Sequence, residues 1–383
     1  MRITELKTWL VSPTGVYLKI MTDEGVCGFG EATVLYFPQS VLGMLRDLTP
    51  YLIGQDPMRI EYLWQSLFRD LFMRGGPANM AAISGIDMAL YDLKGKALNV
   101  PVYELLGGRT RDKVRIYGHV AGKTPEEMAK RAKKLADTGC NMIRFRAFHD
   151  TDERREFDYA TGVFDQLVYL EAIRGTVGES VDLVVECHGR YDLPWAVKLA
   201  KGLEKHNVFF MEDPLRQENP ALMRELRLQT TVPLATGERC HSRWDFRELF
   251  ESYSINYARP DVCHCGGITE MMKIASYAQT YGISLVPHNT QGPIAMAACM
   301  HASFAIDNIA VVEGAFSNPE NRDVARERLA MGWPRFENGY AFAPDGPGLG
   351  VTVDEQALDA AQAGFKPPVQ PRLRALDGSV RDW

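Results

Sequence analysis

Asp182-Leu183-Val184-Val185-Glu186, Phe209-Phe210-Met211-Glu212 and Pro233-Leu234-Ala235-Thr236-Gly237-Glu238 decide how the rest of the chain is read. Each is a short apolar run closing on a glutamate, and 26 residues separate each glutamate from the next. Such runs read as buried parallel strands. A loop and a helical segment follow each one, which makes a βα repeat. Equal spacing then predicts three carboxylates at one height, at the C-terminal ends of neighbouring strands, where a parallel barrel keeps its reactive groups. Three converging anions repel each other in a partly dry mouth. A hard divalent cation resolves that repulsion, and an all-oxygen donor set suits Mg²⁺. The competing reading is three unrelated acids at loop starts, each capping a helix. It serves for any one of them, but poorly for three that each close an apolar strand.

Outward from this stretch the same unit recurs. Strands are read at Val114–Val120, Met142–Ala147, Leu183–His188, Phe209–Asp213, Leu234–Glu238, Ile255–Arg259, Ser284–His288 and Ala310–Glu313, with amphipathic helical segments between them. The fold class is therefore α/β, a (β/α)7β modification of the eight-stranded barrel. An open doubly wound sheet would need a Gly-rich first βα turn for a nucleotide, and none is found. Residues 1–112 read differently: a three-strand meander with a turn at Asp23-Glu24-Gly25, then helical periodicity up to Gly107-Gly108. They are expected to form an α+β capping domain. Residues 113–339 are expected to be the barrel, and 340–383 a C-terminal segment whose glycine- and proline-rich start loops back to the cap.

The chain has 383 residues, 46% of them hydrophobic and 24% charged, with a net charge of −6. This is ordinary globular composition, with no basic surface for nucleic acid and no apolar run of membrane-spanning length. Seven scattered cysteines and an N-terminus without a signal-peptide core point to a reducing, cytoplasmic setting.

Alternation along a strand adds to the predicted mouth. His188 is two residues past Glu186, and Arg144 and Arg146 share a face of the second strand. Asp261 follows the sixth strand, His288 ends the seventh and Glu313 the eighth. Asp261 beside His288 would hold one imidazole nitrogen and raise the basicity of the other, although Asp261 could equally cap the turn before Gly266-Gly267. Cys263-His264-Cys265 lies too close-set to wrap a Zn²⁺ and reads as loop. Gly75-Gly76-Pro77 reads as a turn. His149, His206, His241 and His301 receive no role; His119 approaches the mouth from the first strand.

With these residues in view, the chain resembles the mandelate racemase subgroup of the enolase superfamily over nearly its whole length, and its acid-sugar dehydratases most of all. The resemblance is carried by Arg74-Gly75-Gly76-Pro77, Ser84-Gly85-Ile86-Asp87-Met88-Ala89, Glu186-Cys187-His188-Gly189-Arg190, Met211-Glu212-Asp213-Pro214, Thr236-Gly237-Glu238-Arg239, Pro260-Asp261, Pro287-His288 and Pro347-Gly348-Leu349-Gly350. It implies one Mg²⁺ per subunit on Glu186, Glu212 and Glu238, holding the carboxylate of a galactonate-like aldonate. It implies that His288, oriented by Asp261, takes the α proton, that His188 protonates the departing 3-hydroxyl, and that Glu313 bonds the enediolate. It implies a homo-oligomer, and contact of the Ser12–Tyr17 loop with the distal end of the sugar acid. Two departures stand out. Glu186 occupies a position where many relatives carry Asp. Arg144-Phe145-Arg146 replaces a common Lys-x-Lys, which favours clamping over proton abstraction. An arginine on this strand also resembles the mannonate dehydratases, where it pairs with a tyrosine; Tyr159 is the candidate partner here. Further readings are an epimerase or cycloisomerase on the same scaffold, and a non-catalytic sugar-acid binder. Specificity is expected in the cap and in Phe148–Thr161.

Overall fold

Residues 1–147, 156–314, 329–332, 334–370 and 372–382 are described by the computed structural model. The chain begins with the expected antiparallel meander, β1 (Ile3–Val11), β2 (Gly15–Thr22) and β3 (Cys27–Glu31). Helices α1 (Pro38–Leu52), α2 (Ile60–Arg69), α3 (Pro77–Leu98) and α4 (Val102–Leu105) follow. α3 is buried almost all round and lies on β3. Two strand glycines permit this: a Cβ on Gly28 would stand 2.0 Å from the Ala89 carbonyl oxygen, and one on Gly30 1.9 Å from that of Gly85.

The βα repeat then builds a closed ring. Its strands are β4 (Lys113–Val120), β5 (Met142–Phe145), β6 (Asp182–Glu186), β7 (Phe210–Glu212), β8 (Leu234–Thr236), β9 (Tyr257–Ala258), β10 (Ser284–Leu285) and β11 (Val312–Glu313). Neighbours from β4 to β10 pair in parallel in sequence order. A Leu285–Ile309 bridge and the β11–β4 pairing close the ring. The connecting helices are α5 (Pro125–Ala136), α6 (Tyr159–Val177), α7 (Leu193–Leu203), α8 (Ala221–Arg227), α9 (Arg243–Glu251), α10 (Gly267–Gln279) and α11 (Pro293–Ala305). α5 shows why these segments become helical. Thr124 caps it by accepting from the Glu127 amide, Pro125 opens it, acids fill its first turn and lysines its last. The barrel lumen has its own core of Tyr117, Met142, Val184, Phe210, Ala235, Val286 and Val311. No described helix is long and apolar enough to cross a membrane.

Two expectations change here. Most ladders stop before the polar residues that end the predicted strands, so His188, Asp213, Glu238 and His288 stand beyond them, as is expected of Asp261. Leaving the ladder frees those backbones to aim side chains: His188 has φ +54° and Asp213 φ +40°. The second change concerns height. Glu186 is the register partner of Glu212, but Glu212 pairs with Ala235. Glu238 therefore stands three residues above that level. Register follows backbone pairing in a sheared ring, and residue spacing does not set it.

The cap docks on the barrel through polar ties. The Glu31 carboxylate accepts from the Gly292 and Ala295 amides at 2.7 and 3.1 Å, at the start of α11. An anion at a helix N-terminus contributes about 0.3–2 kcal/mol. Trp64 Nε1 donates to the Gly266 carbonyl at 2.7 Å, and Asp87 accepts from the Thr269 amide at 3.0 Å. Tyr340–Phe342, expected as loop, adds an antiparallel strand to β4. Farther on, a helix over Glu355–Ala363 packs on β1, where Trp9 Nε1 donates to Asp359 at 2.7 Å.

Candidate active site

A cavity of about 540 Å³ opens at the C-terminal ends of the barrel strands. The barrel strands contribute His119 and Arg144 to its wall, and the loops that follow the strands contribute Arg146, His188, Glu238, Arg239, His264 and His288. The cap contributes Val34, Leu35, Tyr36, Phe37 and Pro77, and the C-terminal segment Gln370. The Ser12–Tyr17 loop is absent from this lining. Ser12 is instead tied to Lys366, accepting from its amide at 2.7 Å. The stretch after β3 takes the lining position because Glu31, at the end of that strand, is anchored on α11. Phe148 to Arg155, expected to bear on specificity, lie outside the described residues, as does His149.

Beneath the cavity, Glu186, Glu212 and Asp213 bring carboxylate oxygens within 4.8 Å of one another, all three buried. Glu238 is not in that tight group. Its carboxylate turns to His288 Nε2 at 3.6 Å and to Arg259 at 3.8 Å, as its higher register allows. Glu212 Oε2 and Asp213 Oδ2 are buried without a hydrogen-bond partner among the described residues. Burial and the Glu238 charge push Asp213 up to about 6. Crowded, unsatisfied carboxylate oxygens fit a hard divalent cation.

Two guanidiniums hold these acids together. Arg144 reaches Glu186 and, at 3.3 Å, Glu212. Arg259, fully buried, lies 2.8 Å from Glu212 and 3.0 Å from Glu313. Glu313 also faces His119 at 2.7 Å. Burial alone would raise Glu313; His288, Arg259 and His119 reverse this and hold it well below its ordinary range.

Asp261 and His288 meet across a backbone bridge, with His288 Nδ1 and Asp261 Oδ2 2.5 Å apart. Nε2 lies on the cavity side, 3.4 Å from Thr290 Oγ1 and 3.6 Å from Glu238. Burial would lower His288, but Glu313, Glu238 and Asp261 raise it to about 10. His188 is the reverse: burial, then Arg146, Arg190, Arg144 and Arg239, press it well below 6.5. Tyr159 does not join the site. Its hydroxyl accepts from Arg216 at 3.1 Å and Arg381 at 3.2 Å, and its ring stacks on Trp195. As the first residue of α6 it faces the neighbouring helix, away from the cavity.

Sequence reading missed Arg259, Asp213, His241 and His264. The alternation that pairs Arg144 with Arg146 would have paired Arg259 with Asp261. His264 bridges barrel and cap, its ring nitrogens 3.3 Å from the Glu238 carbonyl and 3.1 Å from that of Thr33. The flanking cysteines do behave as loop: both are buried, and Cys263 donates to the Glu31 carbonyl at 3.4 Å.

Residues 10–107 match the family of the mandelate racemase / muconate lactonizing enzyme N-terminal domain, and residues 127–357 the enolase C-terminal domain-like family. Among curated proteins, a D-galactonate dehydratase of Ralstonia pickettii is 38% identical over 388 residues, covering all of both chains. One from Pectobacterium atrosepticum is 37% identical over 393 residues, again with full coverage. Among solved structures, an enolase of Pantoea ananatis with bound D-gluconate and Mg superposes with a TM-score of 0.92. It is 32% identical and covers 99% of each chain.

Proposed function

The chain belongs to the mandelate racemase / muconate lactonizing enzyme family of the enolase superfamily, and on that premise we propose that it is a hydro-lyase that dehydrates a galactonate-like aldonate to a 2-keto-3-deoxy acid. One observation carries this reading: buried, under-satisfied carboxylates lie beside an Asp–His dyad at the base of a single cavity. The named relatives, and the neighbour holding D-gluconate with Mg, support it.

Mg²⁺ would be held by Glu186, Glu212 and Glu238, with Asp213 within reach of the same group; when bound it supplies charge stabilisation for a carboxylate becoming an enediolate. The chain's own groups do the rest. His288 takes the α proton through Nε2 while Asp261 fixes its Nδ1 tautomer. His119 and Arg259 hold Glu313 ionised 4.0 Å from His288 Nε2, so its part is to raise the basicity of that imidazole; an acceptor-only carboxylate does not donate to the enediolate. Arg144 and Arg146 clamp substrate oxygens, since a guanidinium does not give up its proton. His188, across the ring, gives the proton with which the 3-hydroxyl leaves as water. Among the described residues the cap wall, Val34, Leu35, Tyr36, Phe37 and Pro77, carries no cation, and the cavity's guanidiniums come from the barrel side.

Incubation with a panel of diastereomeric aldonates and Mg²⁺, trapping 2-keto acid with semicarbazide, tests the reaction. Product from at least one aldonate is expected, and silence across the panel overturns it. A second reading exchanges the two histidines, because His188 is held neutral and His288 protonated. In D₂O the variant lacking the acid still exchanges the α hydrogen, whereas the variant lacking the base does not. Exchange in His188→Asn but not in His288→Asn upholds the first assignment; the opposite pattern selects the second.

A further inference from the structure

The side chain of Arg259 enters the site from below, on the face it shares with Asp261. It is fully buried. One terminal nitrogen serves Glu212 Oε1 at 2.8 Å and Glu313 Oε2 at 3.0 Å, with Glu238 Oε2 at 3.8 Å. The other donates to the Tyr117 hydroxyl at 2.6 Å, on the opposite arc of the lumen. Glu212 thus has Oε1 turned to guanidinium, while Oε2 is buried without a hydrogen-bond partner among the described residues.

The charge count shows why a cation belongs there. Glu186, Glu212, Asp213, Glu238 and Glu313 crowd one end of the barrel. A single divalent ion together with Arg144 still leaves part of that charge uncompensated, and uncompensated buried charge is costly. A guanidinium stays protonated at every accessible pH, and its plane lets one terminal nitrogen anchor on the Tyr117 hydroxyl while the other is held facing all three carboxylates.

We propose that Arg259 is a positioning residue, a built-in cation that ties Glu212, Glu238 and Glu313 into one array, presents Glu212 to the metal through a single oxygen, and lowers the affinity of the site for divalent metal in exchange for correct placement. This rests on the metal-dependent dehydratase reading. The arginine's effects on metal binding and on turnover are opposite in sign, which a merely structural residue would not produce. Removing it leaves more negative charge for a metal to meet, yet releases the acids from register.

The test uses Arg259→Gln and Arg259→Lys in the full chain. Mn²⁺ affinity is read by electron paramagnetic resonance without substrate, and kcat and KM are read on the best aldonate. For the Gln variant, Mn²⁺ binding about tenfold tighter and kcat about 100-fold lower are expected. The Lys variant keeps the charge without the planar fork, so wild-type Mn²⁺ affinity with only partly restored kcat is expected. Weaker or unchanged Mn²⁺ binding in the Gln variant overturns the proposal. If that variant does not fold, the Lys variant decides, and full restoration of kcat by lysine overturns the planar-fork argument. Wild-type protein that binds Mn²⁺ but turns over no aldonate sinks the reaction instead, and leaves the comparison of affinities intact.

Discussion

His188 and His288 face one cavity from strands three and seven of an eight-stranded ring, and their surroundings are inverted. Burial, reinforced by four arginines, strips His188 of its proton. Three carboxylates crowd His288 and hold its proton. The side chain is the same, the depth is similar, and the proton state is opposite. The difference teaches that burial pushes both imidazoles the same way, and that the charges packed around each decide whether that push is reinforced or overturned. It also gives the cavity two flanks, with positive charge gathered around His188 and negative charge around His288.

The comparison breaks most visibly at the two imidazoles. His288→Asn and His188→Asn are each expected to lower kcat by about 10²–10⁴-fold. A loss below tenfold for either one removes it from the proton chemistry. Next come the acids. Glu212→Gln is expected to weaken Mn²⁺ binding by roughly 100-fold, more than Glu238→Gln does, since Glu212 sits inside the tight carboxylate group and Glu238 outside it. Equal losses would put both glutamates at one height after all.

A calorimetric experiment sharpens the same contrast. With His288 raised to about 10, the metal-free protein carries that proton at pH 7.5. Mg²⁺ compensating Glu238 lowers the imidazole, so loading should release up to roughly one proton per site. The buffer dependence of the binding enthalpy counts it. No release would mean that the acids around His288 are electrostatically separate from the metal group. The smallest effect is expected at Tyr159. Its hydroxyl serves two arginines outside the cavity, so Tyr159→Phe should change kcat/KM less than about twofold and stability by about 0.5–1.5 kcal/mol. A 100-fold loss of kcat would bring Tyr159 back into the site.

Much of this could be read before any coordinates. Apolar runs closing on acids announced a parallel ring, because strands buried on both faces must be apolar and polar side chains must leave at their ends. Glu186, Glu212 and the Asp261–His288 dyad were legible for that reason, and so was the cap, whose hydrophobic period changes near Lys113. The tertiary structure decided the rest. Two strand pairings with offsets of 26 and 23 residues lifted Glu238 above Glu212 and brought Asp213 into the carboxylate group. Arg259 became a central cation only because the ring folds Tyr117, Glu212 and Glu313 around it. The cap's lining stretch was chosen by Glu31 seated on α11. Chain order records which side chains exist and how often the backbone turns; hydrogen bonds between distant strands set the level at which those side chains meet, and no count along the chain contains them.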